Sequence, residues 1–238
     1  MIVRLRLLLI LIFAWWIQLH AQEASKWPKF PLPDRPVAPT ISAEYSDEKT
    51  RDQQREAERV MDYLGIRAGV WVADIGAGRG YYTIRVARRQ GRARTIYATD
   101  VNPEYLRQLQ ARLEEERIDA VKLVLGAPRD PKLPPSSVDV AILAHVYHEI
   151  ENPYEFMYRL WPSLAPGARV GIIEVDRPTE THGTPPSLLR CELGNVGYRE
   201  VGLWSLKPAD GYLMVFVPPQ ELAAVESITP CKAMTPRK

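Results

Sequence analysis

The chain has 238 residues, 46% of them hydrophobic and 25% charged, with 31 basic against 29 acidic side chains and a formal net charge of +2. That length fits one domain with extensions, and that composition belongs to an ordinary globular protein, which excludes a fibrous or wholly disordered chain. So small a net charge leaves no electrostatic footprint for nucleic acid, and no nucleic-acid partner is expected.

Residues 1–21 read as a targeting segment and not as part of the fold. Arg4 and Arg6 precede an unbroken apolar run over residues 7–17, and Gln18-Leu19-His20-Ala21 follows. This is the layout of a secretory signal peptide with a cleavage point after Ala21, so the mature chain is expected to be exported, periplasmic or secreted. The run is shorter than the ~20 apolar residues of a membrane span. An uncleaved anchor over residues 7–21 is the alternative, and it would be the chain's membrane contact. Residues 22–45 form a proline-rich arm in which Pro28, Pro31, Pro33, Pro36 and Pro39 predict extended backbone, either a semi-rigid spacer or an arm laid over the domain. The domain is expected over residues 46–217 and a ragged C-terminal tail over 218–238. Its opening helix runs to Leu64, with Ala57, Val60, Met61 and Leu64 as one apolar stripe on a charged segment.

The most informative stretch is Val70-Trp71-Val72-Ala73-Asp74-Ile75-Gly76-Ala77-Gly78-Arg79-Gly80-Tyr81-Tyr82. Its apolar run reads as a buried strand and residues 81–90 as a helix; the glycines between them let the backbone turn tightly and let a ligand approach. A strand, a glycine turn and a helix N-terminus together make a nucleotide-class site. The dinucleotide fingerprint G-x-G-x-x-G would seat a pyrophosphate here, but the third glycine comes one residue early. Asp74 also stands at the mouth of the turn, where a carboxylate repels phosphate and welcomes a ligand carrying an ammonium and a sulfonium, such as S-adenosylmethionine. Residues 95–100 read as the next strand, ending in Asp100, 24 positions after Gly76. A carboxylate there offers acceptors to both ribose hydroxyls, a device that NAD enzymes share.

Asp74, Gly76, Gly78 and Gly80 match, position by position, an acid followed by x-G-x-G-x-G, and with Asp100 they make the chain resemble the class I S-adenosylmethionine-dependent methyltransferases. The resemblance implies an α/β fold, a Rossmann-like sandwich whose seven-stranded, mostly parallel sheet ends in an antiparallel hairpin and carries helices on both faces. It implies S-adenosyl-L-methionine as cofactor, bound by Asp74, Gly76, Gly78, Gly80 and Asp100, with the helix before the first strand helping to close the pocket. It also implies an acid after the third strand for the adenine amino group; here that acid is displaced to Asp130, or the backbone of Gly126-Ala127-Pro128 makes the contact. The activity implied is methyl transfer to an oxygen, nitrogen or sulfur nucleophile of a small molecule, because the core shows no added module for nucleic acid or protein.

Residues 103–115 predict a helix with Tyr105, Leu106, Leu109 and Leu113 inward, residues 121–125 a third strand and 138–143 a fourth. The fourth runs into Ala144-His145-Val146-Tyr147-His148-Glu149-Ile150. Ligands of open α/β sheets bind beyond the carboxyl ends of the strands, which brings His145 near the transferable methyl and His148 onto the same face if a helical turn begins there. Both are catalytic candidates, for orienting or deprotonating the acceptor. Two histidines and Glu149 lack a further ligand at a recognised spacing, so no metal is expected. Asn152-Pro153 predicts a helix start, Tyr154 to Leu164 its buried face, and Pro166-Gly167 its end. A fifth strand over 170–175 ends at Asp176, the third catalytic candidate. Residues 176–186, with Arg177 and His182, read as a substrate lid or a plain connection; residues 187–195 predict a short helix. Residues 198–206 and 212–217 flank Lys207-Pro208-Ala209-Asp210-Gly211 as a hairpin, an ending that NAD-binding Rossmann domains usually lack.

Cys191 and Cys231 could pair in an exported chain, but the place of Cys231 in the tail favours a free, buried Cys191. Export of an enzyme whose cofactor is made in the cytosol leaves two further readings open. One is an envelope protein that keeps the pocket for binding or scaffolding; the other is an NAD-linked oxidoreductase.

Overall fold

The computed structural model describes residues 27–40 and 48–232. The expected targeting segment lies outside them, and no helix among the described residues is long and apolar enough to cross a membrane. The chain divides into two units, Met1–Phe30 and Pro31–Lys238; in the first, residues 27–30 are described and carry no helix or strand.

The second unit is built on one seven-stranded sheet: β1 (Val72–Ile75), β2 (Ile96–Asp100), β3 (Val121–Leu125), β4 (Val138–Ala144), β5 (Leu164–Glu174), β6 (Arg199–Ser205) and β7 (Tyr212–Val217). Their order is β3-β2-β1-β4-β5-β7-β6. Every residue of β1 and β2 is buried, as expected of mostly apolar strands covered on both faces, and the acids Asp74 and Asp100 are buried with them. β3, β2, β1, β4 and β5 run parallel, and β7 enters antiparallel between β5 and β6, so the expected hairpin closes the sheet. The chain leaves β1 toward β2 and β3 and returns to β4 on the other side of β1. That reversal opens a crevice at the carboxyl ends of β1 and β4.

The helices are α1 (Glu48–Gln53), α2 (Glu56–Leu64), α3 (Tyr81–Gln90), α4 (Pro103–Glu115), α5 (Pro153–Leu160) and α6 (Pro186–Val196). The single opening helix expected from sequence is broken at Arg55, which adopts a left-handed φ of 54°. α2 buries the predicted stripe, whereas α1 buries nothing. Asn102 caps α4 by accepting the Glu104 N–H at 2.9 Å. α5 stops four residues earlier than read from sequence, because Pro162 has no N–H to continue the ladder and the chain tightens into a 3₁₀ turn, Trp161–Ser163. Pro166-Gly167 consequently lies inside β5 and does not end the helix. One core cluster joins Val60, Met61 and Leu64 of α2 to Val72, Val140, Ile142, Leu213 and Val215 of the sheet. A second joins Ala98 of β2 to Leu109 and Leu113 of α4.

Both flanks are more ordered than their composition implies. The arm over residues 31–40 is laid on the domain: the Arg35 guanidinium, fully buried, donates to Glu192 at 2.9 Å. Thr179 Oγ1 donates to the Pro36 carbonyl at 2.7 Å, and the Ala38 N–H to the His148 carbonyl at 3.1 Å. The tail is likewise packed up to residue 232. Trp161 Nε1 donates to the Pro219 carbonyl, the Cys231 N–H donates to the Tyr154 hydroxyl, and Val225, Ile228 and Cys231 are buried. This return path sets Cys231 against α6, where it forms a disulfide with Cys191 at a Cα–Cα separation of 6.0 Å. Cys191 is thus paired and exposed, not free and buried.

Candidate active site

A cavity of about 540 Å³ opens at the carboxyl ends of β1, β2 and β4. Its floor is the glycine loop. The N–H groups of Gly76 and Ala77 both donate to the Thr99 carbonyl, at 2.8 and 3.0 Å, which ties the loop to β2. Gly76 has a φ of 69°, and a Cβ there would stand 2.7 Å from Val146 Cγ2. Gly80 has a φ of 89°, and a Cβ there would stand 2.3 Å from Leu109 Cδ1. Gly80 lies outside the cavity wall, so its work is to pack the start of α3 against α4.

Asp74 and Asp100 both line the cavity. Asp74 accepts the Thr83 N–H at 2.9 Å and the Thr83 hydroxyl at 2.6 Å. Burial nonetheless pushes its carboxyl up to about 6. Asp100 accepts the Gly78 N–H on Oδ2 at 2.9 Å and the Asn102 N–H on Oδ1 at 2.8 Å. Burial raises its pKa too, against the pull of those donors. Asp130 is not in the wall. Its carboxylate accepts the Lys132 N–H at 2.8 Å and pairs with the Lys132 ammonium at 3.3 Å, closing a turn in which Ala127 and Asp130 exchange backbone hydrogen bonds. The wall there is made by Gly126, Ala127, Pro128 and Pro131, so of the two sequence alternatives the backbone is the one at the cavity.

The opposite end is formed by the chain leaving β4. His145 lines the cavity in a left-handed conformation, φ 55°, with its N–H on the Ile173 carbonyl at 2.8 Å. Burial, and then the nearby Arg51 cation, depress its pKa to about 4, so its imidazole is neutral near pH 7. His148 follows in a 3₁₀ turn, Tyr147–Glu149, and is only 1% exposed. Its Nδ1 lies 3.0 and 2.9 Å from the two oxygens of Glu174, and it stands behind the wall instead of in it. Asp176 is exposed and away from the cavity. β5 ends at Glu174, which is fully buried, while Asp176 lies beyond the strand's end in an exposed bend. Of Glu174-Val175-Asp176 it is therefore Glu174 that contacts His148, and Asp176 that stays at the surface. The loop over residues 176–186 brings His182 edge-on to His148, with ring centroids 5.5 Å apart.

The helix expected before the first strand does reach the cavity, through α1, but the two residues it puts in the wall, Glu48 and Arg51, were not singled out from sequence. Arg51 lies 3.6 Å over the Tyr81 ring and pairs with Glu56 at 2.6 Å. Five carboxylates line the cavity, on Glu48, Asp74, Asp100, Glu149 and Glu151, against the guanidiniums of Arg51 and Arg79. This excess of acid suits a ligand with cationic centres and disfavours a pyrophosphate.

Residues 73–170 match the family described as a methyltransferase domain. The nocamycin O-methyltransferase of Saccharothrix syringae is 29% identical over 137 residues, which cover 56% of this chain and 45% of that protein. The ubiquinone/menaquinone biosynthesis C-methyltransferase UbiE of Idiomarina loihiensis is 26% identical over 119 residues, 50% of this chain and 47% of that one. The chain thus spans about half the length of the curated relatives it matches. A crystal structure of a SAM dependent methyltransferase from Aquifex aeolicus superposes with a TM-score of 0.62 at 20% identity, covering 72% of this chain and 97% of that one, which is a likeness of fold. Residues 73–170 thus carry the likeness to a methyltransferase domain, and the glycine loop and sheet order around them are those that the resemblance to the class I, S-adenosylmethionine-dependent enzymes implies.

Proposed function

We propose that the protein is a methyltransferase that binds S-adenosylmethionine in this cavity and methylates an oxygen, nitrogen or sulfur atom of a small molecule. The observation that carries the reading is Asp100, a buried carboxylate fixed by two backbone N–H groups at the cavity's edge. Held so, it keeps acceptor capacity for a pair of ribose hydroxyls at no cost in side-chain ordering. Asp74 stands in the wall with a pKa raised by burial, and a cationic ligand beside it would lower that pKa again. Bound S-adenosylmethionine supplies a methyl group already activated by its sulfonium, so the protein's task is to hold the acceptor in line with it.

That task falls to the wall from Ala144 to Glu151. His145, neutral and with a pKa of about 4, is a weak base and a good hydrogen-bond partner; it orients the acceptor. Glu149 lines the same wall with the buried His148–Glu174 pair behind it, and offers the place for a proton to leave. A cavity of about 540 Å³ has the size of a small-molecule site and holds a cofactor with a modest acceptor. The acceptor is thus a small molecule. Export to an oxidising compartment is part of the same reading; the signal-like N-terminus and the Cys191–Cys231 disulfide support it.

Calorimetric titration of the purified chain with S-adenosylmethionine and, separately, NAD tests the cofactor. Micromolar binding of the first is expected, with about a 100-fold loss in Asp100→Ala, since hydrogen bonds to a charged group contribute about 1.5–3 kcal/mol each. Absence of S-adenosylmethionine binding, or tighter binding of NAD, would overturn the reading.

A further inference from the structure

Of the chain's four histidines, His145, His148 and His182 stand at the acceptor end, and the last two do not line the cavity. One ligand atom from each of His148, Glu149 and His182 lies within 4.8 Å of the others. We infer that these three side chains form a binding site for a divalent transition ion of the zinc class, with an open coordination position toward the cavity.

Two imidazoles and one carboxylate are the donor set of catalytic zinc and related sites, which keep a position open for water or substrate. The surroundings are built for such a set. Glu174, fully buried, holds His148 Nδ1 at 2.9 Å, which turns Nε2 outward as the ligating nitrogen. A carboxylate behind a ligating histidine is the usual support for the ring's orientation and basicity. His148 Nε2 is 3.9 Å from a Glu149 carboxylate oxygen, and Glu149 lines the cavity. His182 supplies an independent sign. Its Nδ1 is buried with no hydrogen-bond partner among the described residues, a state that costs about 1–3 kcal/mol when nothing satisfies the group.

Ligand atoms around a tetrahedral ion at ~2.0 Å stand about 3.3 Å apart. The observed spacing closes to that by small rotations of Glu149 and His182, and His182 sits on a loop and not on a strand. No thiolate competes for the ion, because both cysteines are in the disulfide. The fourth position would take the acceptor's heteroatom and lower its pKa, replacing the strong base that His145 is not. This last role rests on the proposed function; the ion site itself rests only on its ligands. It also revises the expectation of no metal, which failed to count His182 because that residue is 34 positions from His148 in sequence.

The test is titration of the untagged, metal-stripped chain with Co²⁺, read by its visible ligand-field absorption and by competition with Zn²⁺. One equivalent is expected to give the intense spectrum of a four- or five-coordinate ion. His182→Asn, chosen because Asn tolerates the left-handed φ of 60° at that position, and Glu149→Gln should each weaken binding at least about tenfold. Asp176→Asn, an exposed acid on the same loop, should leave it unchanged. A weak, six-coordinate spectrum, or equal affinity in wild type and His182→Asn, would overturn the site. S-adenosylmethionine titration of the same metal-free samples separates the two proposals. Cofactor binding without a cobalt site sinks this inference alone, and a cobalt site without cofactor binding sinks the proposed function alone.

Discussion

The two ends of the cavity are built by different means. At the cofactor end, Asp74, Gly76 and Gly78 lie within five residues of one another, and Asp100 closes the next strand in parallel register. Short-range geometry does nearly everything there. At the acceptor end, the arm over 31–40, the 3₁₀ turn at 147–149, the loop over 176–186, α6 and the tail converge from across the chain. What holds them is a buried polar network. Arg35 donates to Glu192 and toward the carbonyls of Tyr147, His148 and Ile150; Tyr147 also donates to Glu192, at 2.8 Å. A local motif fixes the cofactor end. A long-range network, costly when any member is lost, fixes the acceptor end.

The sharpest way to break that contrast is Arg35→Met. Removing one partner of a buried ion pair leaves the other charge uncompensated, and Glu192, its pKa already raised by burial, would be that charge. A loss of about 4 kcal/mol is expected in denaturant unfolding, with much of it recovered in Arg35→Met/Glu192→Gln. If Arg35→Met is neutral, the acceptor end does not depend on the arm. Next in size is Gly80→Ala at the cofactor end, expected to cost about 3 kcal/mol. A left-handed φ of 89° disfavours any Cβ, and the new atom would press on Leu109. Its calorimetric signature should be lost S-adenosylmethionine affinity, because α3 can no longer meet α4 and the loop shifts.

The same contrast explains what could be read from sequence. β3, α3, α4 and β7 fall on the residues expected, since each is a periodic run bounded by its own turn or cap. Asp74 and Asp100 were legible because the glycine loop and the strand period place them within one βαβ unit. His145 and His148 were legible as candidates, but their division of labour was not. One becomes a wall and the other is buried on Glu174, and only where β5 ends decides that Glu174 is buried and Asp176 is not. The disulfide and the arm were hidden for a related reason. Prolines and scattered polar residues give a segment no period, so nothing local tells whether tertiary contacts hold it.

A third test probes protonation. In the unfolded chain His145 titrates near the ordinary histidine value of ~6.5. In the fold its pKa is depressed to about 4. The unfolded state therefore binds more protons between those values, and the stabilisation present above pH 6.5 is lost as pH falls toward 4. Between pH 6.5 and 5 the loss is about 2 kcal/mol at 1.36 kcal/mol per pH unit. Asp74 works against it, because its raised folded pKa of about 6 lets the fold take up a proton first in the same range. Subtracting the unfolding curves of His145→Asn from those of wild type isolates the histidine. An unchanged slope in the variant would show that His145 is not the buried neutral group the structure describes.

The smallest effect should come from α1, the one cavity element that belongs to neither scheme. It buries no residue, and besides the mostly buried Arg51–Glu56 pair it is held by partly exposed ion pairs of Glu48 to Arg85 and Arg112, at 3.2 and 2.7 Å, and of Asp52 to Arg85. Partly exposed pairs contribute about 0–1 kcal/mol each and weaken with salt. Glu48 and Arg51 nonetheless line the cavity, so a weakly held helix covers a deeply built site. Glu48→Gln should therefore change global stability by less than about 0.5 kcal/mol. It should still raise amide exchange across Glu48–Gln53 and speed cofactor dissociation several-fold, and 0.5 M salt should do the same to wild type. If exchange in α1 instead follows global unfolding, the helix is a fixed wall, and all the cavity's exchange with solvent must pass the acceptor end.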